Sequence, residues 1–425
     1  MRKYATILLM LMLCQMVTAQ SYMRKIPKLD FANFADNHIQ FYGDSADYEY
    51  FYAKMDSLMF FGKGEVSIMH IGGSHVQAGV FTQLLRDDLL ALDAGINKGI
   101  GAAFPFSAGK TNNPSGYRVS STGDWRYCRN AVAFDKRLGL CGAAVTTRDA
   151  SATITVTTHE RYDCDVSQDF SFNRVVVTGY SDCDSVATIP VAIVSGDTLF
   201  PTVDTVNETY FYLLSQLADT VKIAFDTLCG EFTITGLWLD DESPIGLTCH
   251  GVGVNGARVV SYLYCEDFAR DLEKVNPDLV IFGIGVNDAS ADDFSPNAFM
   301  NDYARLIGII KQHNPHCALL FITNNDTFKK LKRNNYRVNA NGQTAEQAFI
   351  EMGKKHNAGV WDQFHIMGGL GSMKLWQNEK LAQNDKIHFT QKGYAILGDL
   401  LYNALMEKYV EHIKRSRRIE VKEGN

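Results

Sequence analysis

Two runs in the second half of this chain, Leu279-Val280-Ile281-Phe282-Gly283-Ile284 and Ala318-Leu319-Leu320-Phe321-Ile322, are apolar on both faces of a strand. A strand can bury both faces only if other elements cover both sides of its sheet, the situation of a parallel sheet sandwiched by helices. Helical periods stand beside these runs. Ser295-Pro296 occupy Ncap and N1 of a helix with Phe299, Tyr303, Leu306, Ile307 and Ile310 on one side. Gly393 to Tyr409 carries Ile396, Leu397, Leu400, Leu401 and Leu405 at the same spacing.

The unit recurs near the front. Val66 to Ile71 is a short apolar run ending in Gly72-Gly73. Phe81, Leu84, Leu85, Leu89 and Leu92 then recur at helical spacing until Gly95. This reads as strand, tight turn and helix, with Ser74 at the turn. Residues 20–60, rich in Phe, Tyr and Asp, form an arm feeding a helix around Tyr48 to Leu58.

Between the two α/β parts the texture changes. Ala152–Thr157, Arg174–Thr178, Val191–Val194, Val221–Phe225 and Phe232–Trp238 are short β-branched strands, with turn residues at Asp182-Cys183-Asp184 and Ser195-Gly196-Asp197. Residues 113–242 therefore read as an inserted β-sandwich. The expected fold is a three-layer α/β/α domain with a parallel sheet, split into 61–112 and 243–425.

The first residues bear on compartment. Arg2 and Lys3 precede a short apolar stretch, Ile7 to Leu13, and Val17-Thr18-Ala19 ends in a small residue. That is a signal peptide over 1–19, and its apolar run is too short to span a bilayer. Met12 and Leu13 before Cys14 are too large for a lipobox. The expectation is an exported protein, periplasmic or secreted. Removing Arg2 and Lys3 takes the net charge of -7 to about -9, and without a basic stripe nucleic acid is not an expected partner. The cluster Lys414-Arg415-Ser416-Arg417-Arg418 reads as a solvated helix end. Five of the nine cysteines, Cys128, Cys141, Cys164, Cys183 and Cys229, fall in the β-rich stretch, where an oxidising compartment allows pairing that the sequence does not specify. Without a CxxC pair, no metal site is expected. Cys317, inside an apolar strand, reads as a buried free thiol.

Four segments carry the chemistry. Ser74 lies where an α/β fold places its ligands, although a serine there also suits helix capping. Asp385-x-x-His388 puts a carboxylate and an imidazole on one turn, as a base and its orienting acid require. Asn287, after the Leu279–Ile284 run, offers a neutral side-chain donor, and Gly256 offers a backbone N–H with no side chain in the way. Each has an ordinary reading as a turn residue. Their coincidence at successive strand ends favours one acyl-transfer site.

Gly72-Gly73-Ser74, Gly256, Gly285-x-Asn287 and Asp385-x-x-His388 resemble the four blocks of the SGNH (GDSL) hydrolase superfamily. Ser74-His75-Val76-Gln77-Ala78, Gly253-Val254-Asn255-Gly256-Ala257 and His388-Phe389-Thr390-x-x-Gly393-Tyr394 are similar to its exported peptidoglycan O-acetylesterase branch, whose members carry a carbohydrate-binding-like β insert. The resemblance implies a nucleophile at Ser74, a base at His388, its orienter at Asp385, and an oxyanion hole of the Ser74 and Gly256 N–H groups with the Asn287 amide. It departs at Gly73, where the family has Asp. His75 is expected to support the loop beside the substrate; Trp376 and Trp361 each offer a ring to stack on a sugar, with core packing at least as good a reading of either; Trp125 and Trp238 read as residues of the domain joint. The implied activity is removal of O-acetyl groups from a carbohydrate, with no cofactor. Acyl transfer to a second sugar and a decayed carbohydrate-binding protein are the alternatives.

Overall fold

The computed structural model describes residues 22–158, 170–183, 188–331 and 335–423. The expected signal peptide and Cys164 lie outside them. Six strands form the central sheet, in the order Ile39–Phe41, Gly359–Trp361, Ala318–Ile322, Leu279–Gly283, Glu65–Gly72 and Gly246–Gly253. All neighbours are parallel except the Ile39–Phe41 edge, which pairs antiparallel with Gly359–Trp361. Taken by sequence, the five parallel strands lie in the order 2-1-3-4-5, the flavodoxin-like arrangement whose chain direction reverses beside the first strand. Glu65–Gly72 is that first strand. Its carboxyl end, carrying Gly73 and Ser74, therefore opens onto the crevice where such sheets bind ligands.

Strand alternation feeds two helical layers. Val66, Ile68, Leu279, Ile281 and Leu320 share a core with Phe51, Leu85, Leu397 and Leu401, from helices Ala46–Phe61, Val80–Leu90 and Gln391–Glu423. Met69, Ile71, Val280, Phe282 and Phe321 face Phe268, Tyr303, Leu306 and Phe349 on the other side. Ser295 caps the helix Pro296–His313 by accepting the Ala298 N–H, as its position before Pro296 implies. The basic cluster read as a helix end lies inside the last helix instead, and Arg415 pairs with Glu49.

The β-rich stretch forms a five-stranded and a seven-stranded antiparallel sheet. Ile154, Val156, Val221 and Ile223 pack against Val175, Val177, Phe232 and Ile234 between them. Its first strand comes early: Gly99–Ala103 pairs with Phe232–Asp240, ahead of the expected start at 113. The outer face of the larger sheet is not free. Val176 and Trp238 join the core of Tyr262, Phe268 and Leu272 in the α/β part, so Trp238 is indeed a joint residue. Arg137 and Glu208 of the insert pair with Asp267 and Arg270 of helix Phe268–Val275 and its cap. Cys183 and Cys229 form a disulfide across 46 residues, and Cys317 is a buried free thiol.

Candidate active site

Ser74 opens a single helical turn, Ser74–Gln77, and the longer helix starts anew at Val80 after Gly79 takes φ 78°. Gly79 separates this turn from the helix carrying Phe81, and its Cβ would stand 2.6 Å from Pro114 and from the Ser115 backbone. Ser74 Oγ lies 2.7 Å from His388 Nε2, and His388 Nδ1 lies 2.7 Å from Asp385 Oδ2. The chain of contacts joins residues from opposite ends of the sequence.

Asp385 is held from three directions. Its second oxygen accepts the backbone N–H groups of Ile387 and His388 at 2.9 and 3.0 Å. Burial alone would raise its pKa, but the hydrogen bonds from the His388 ring and from these two amides outweigh it and hold the carboxyl at about 2. An ionised carboxylate only accepts, so His388 Nδ1 must donate to it. A neutral His388 then presents an unprotonated Nε2, to which the Ser74 hydroxyl donates. The loop is braced by Asn325 Nδ2 on the Ile387 carbonyl at 3.0 Å and by Gln383 N–H on the His388 carbonyl at 2.8 Å.

Across from this pair lies the Val254–Ala257 turn. Ala257 N–H donates to the Val254 carbonyl at 3.0 Å and Gly256 takes φ 84°, which together define a type II turn with glycine where positive φ is needed. Asn287 sits in the short helix Val286–Ala289, just past its strand, and its Nδ2 donates to the Ala257 carbonyl at 2.9 Å. An amide nitrogen carries two hydrogens, so one remains to serve a ligand. A Cβ at Gly73 would stand 3.3 Å from Asn287 Nδ2 and 3.5 Å from the Ala257 carbonyl oxygen. The serine turn, the glycine turn and the asparagine thus converge. Asp288 completes the staple by accepting Val259 N–H at 3.3 Å; burial raises its pKa to about 7.

His75 faces inward beside the pair. Its Nδ1 lies 2.8 Å from the Tyr394 hydroxyl, its ring centroid is 5.1 Å from that of His388, and burial lowers its pKa to about 3. It braces the site as a neutral ring. Trp376 does not reach a ligand. It is 0% exposed, donates its indole N–H to the Met367 carbonyl, and meets Phe31, Phe34 and Phe389 edge-on, so no ring face is open to a sugar. Trp361 is equally buried, with its indole N–H on Asn37. Sequence reasoning missed Gln77, Thr111 and Asn112, which hydrogen-bond around Asn255 beside the turn. Gln77 carried a signal, a polar residue three after Ser74 in the quoted motif; Thr111 and Asn112 carried none.

Residues 238–396 match the GDSL-like Lipase/Acylhydrolase family, a stretch holding Gly256, Asn287, Asp385 and His388. The class is that of carboxylic ester hydrolases, as the four motifs implied. Among solved structures, a peptidoglycan O-acetylesterase is 21% identical with a TM-score of 0.69, covering 88% of this chain and 99% of its own, and shares the fold including the insert. An acetyl xylan esterase, AlAXEase, is 18% identical over 37% of this chain and 81% of its own, with a TM-score of 0.29. A family two carbohydrate esterase from Cellvibrio japonicus is 11% identical over 69% and 100%, with a TM-score of 0.28. No curated protein matches. Among the described residues, no helix is long and apolar enough to cross a membrane.

Proposed function

We propose that this chain is an exported serine esterase that removes O-acetyl groups from a carbohydrate, peptidoglycan being the first candidate. The observation that carries the reading is the 2.7 Å contact of Ser74 Oγ with a His388 ring already anchored on ionised Asp385. Ser74 would lose its proton to His388 Nε2 as Oγ attacks the ester carbonyl carbon. The developing oxyanion would take hydrogen bonds from the second Asn287 N–H and the Gly256 and Ser74 amides. Asp385 would hold the imidazolium, whose proton passes to the departing sugar oxygen. Water, deprotonated by His388, would then release acetate from the acyl-enzyme. The peptidoglycan O-acetylesterase with the same fold supports a glycan substrate, and the disulfide supports an oxidising compartment and hence export. The same reading treats the 113–242 stretch as a carbohydrate-holding unit, joined by ion pairs to helix Phe268–Val275 and its cap.

The test is acetate release from O-acetylated peptidoglycan, acetylated xylan and O-acetylated sialic acids, without any sugar acceptor, by wild type and Ser74→Ala. Release from one of these by the wild type alone supports the reading. No acetate release, with the acetyl group appearing on an added acceptor sugar instead, would make the protein an acyltransferase.

A further inference from the structure

Types I and II of a β-turn differ by a flip of the central peptide. In the Val254–Ala257 turn that peptide joins Asn255 to Gly256, and it carries the Gly256 N–H. Glycine tolerates both forms, so residue choice alone does not fix which way this N–H points. Surrounding contacts hold the turn on either side of that peptide. Asn255 N–H, at the entry to the flipping unit, donates to Gln77 Oε1 at 2.7 Å. Gln77 is 2% exposed, and its own amide donates to Asn112 Oδ1 and to Thr111 Oγ1, both at 3.2 Å. Asn112 Oδ1 also accepts the Asn255 side-chain amide at 2.9 Å. Gln77 lies close against the strand that enters the turn: a Cβ at Gly253 would come within 2.3 Å of the Gln77 backbone nitrogen. At the exit, Asn287 holds the Ala257 carbonyl.

We propose that Gln77 is a positioning residue: it keeps the Val254–Ala257 turn in its type II form, so that the Gly256 N–H stays directed to the ester oxygen at Ser74. This rests on the reading of Gly256 as an oxyanion donor. Gln77 lies three residues after Ser74, so the turn bearing the nucleophile also sets the geometry of the opposite donor. Asn112, near the start of the β-rich stretch, ties that stretch to the same hydrogen bonds.

The experiment measures kcat and KM on an aryl acetate for Gln77→Ala, Gln77→Glu, Gly256→Ala and the double variant Gln77→Ala with Asn255→Pro. Gln77→Ala should lower kcat about ten- to a hundredfold with KM nearly unchanged, the scale on which small misplacements act. Gln77→Glu keeps an oxygen for the Asn255 N–H but loses the donor to Asn112 Oδ1 and Thr111 Oγ1, so it should recover only part of the kcat that Gln77→Ala loses. Adding Asn255→Pro to Gln77→Ala should restore part of it, because proline suits the first central position of a type II turn and has no N–H to leave unpaired. Wild-type kcat in Gln77→Ala, or a loss that neither Gln77→Glu nor Asn255→Pro relieves, would overturn the proposal. Should Gln77→Ala not fold, Gln77→Met, of similar volume, is read against Gln77→Glu with the same outcomes. Gly256→Ala separates this idea from the one beneath it. Its Cβ strains φ 84°, and an unchanged kcat there would remove Gly256 from the oxyanion hole, whereas a lowered kcat there with an indifferent Gln77 would reject Gln77 alone.

Discussion

The Tyr394 hydroxyl stands 2.8 Å from Nδ1 of His75, so the first and last sequence blocks are joined twice, once through Ser74 and His388 and once through their neighbours. The His75 ring lies against that of His388, and Tyr394 fixes its angle. Tyr394→Phe should therefore lower kcat several-fold and leave KM nearly unchanged. It should also cost about 1–3 kcal/mol of stability, because it strands the buried His75 Nδ1. Thermal melts together with aryl acetate kinetics check both effects.

Asn287 spends one amide hydrogen on the Ala257 carbonyl, and the other is the one proposed to serve the oxyanion. Asn287→Ala should reduce kcat by roughly 10²–10³-fold with a smaller change in KM. A change confined to KM would assign the amide to substrate binding instead. Steady-state kinetics on a soluble acetyl ester distinguish the two.

The pH dependence has a defined sign. A base must be neutral to take the Ser74 proton, so kcat/KM should rise with pH as that base loses its proton. Asp385, at about 2, and His75, at about 3, titrate only in strong acid. Asp288, raised by burial to about 7, also titrates, and Asp288→Asn separates it: the limb should persist. The raised carboxyl also costs stability as pH climbs from its unfolded value near 4 through 7. Asp288→Asn should therefore gain thermal stability over wild type at pH 8 more than at pH 5.

The Cys183–Cys229 bond closes a loop of 46 residues, worth about 4 kcal/mol if its effect is mainly on the unfolded chain. Replacing both cysteines by serine should lower the melting temperature while leaving aryl acetate hydrolysis at 25 °C close to wild type, since the bond lies in the insert. Melting curves and initial rates on the same preparation check it.

Much of this architecture was legible because each layer left its own period in the sequence. The doubly apolar runs at Leu279 and Ala318 became central parallel strands, and the β-branched runs after Ala152 became antiparallel sheets. Gly99–Ala103 was not legible as part of the insert, because five small or apolar residues carry no mark of which sheet they pair with. Gly79 hid a break that depends on Pro114, distant in sequence. The residues grouped around Ser74 were legible as motifs, since glycines and a short Asp-x-x-His spacing survive as local patterns. Trp376 misled, because a tryptophan beside a glycine-rich loop looks the same whether its ring meets a sugar or Phe389. Gln77's partners, Thr111 and Asn112, are assembled only by the tertiary fold.

The most direct test of the central claim is covalent labelling with a fluorophosphonate, which reacts with activated serines, followed by peptide mapping. The account predicts one adduct on the peptide containing Ser74 in the wild type, none in Ser74→Ala, and strongly slowed labelling in His388→Ala. An adduct on another serine accompanied by loss of esterase activity, or wild-type activity in Ser74→Ala, would contradict it.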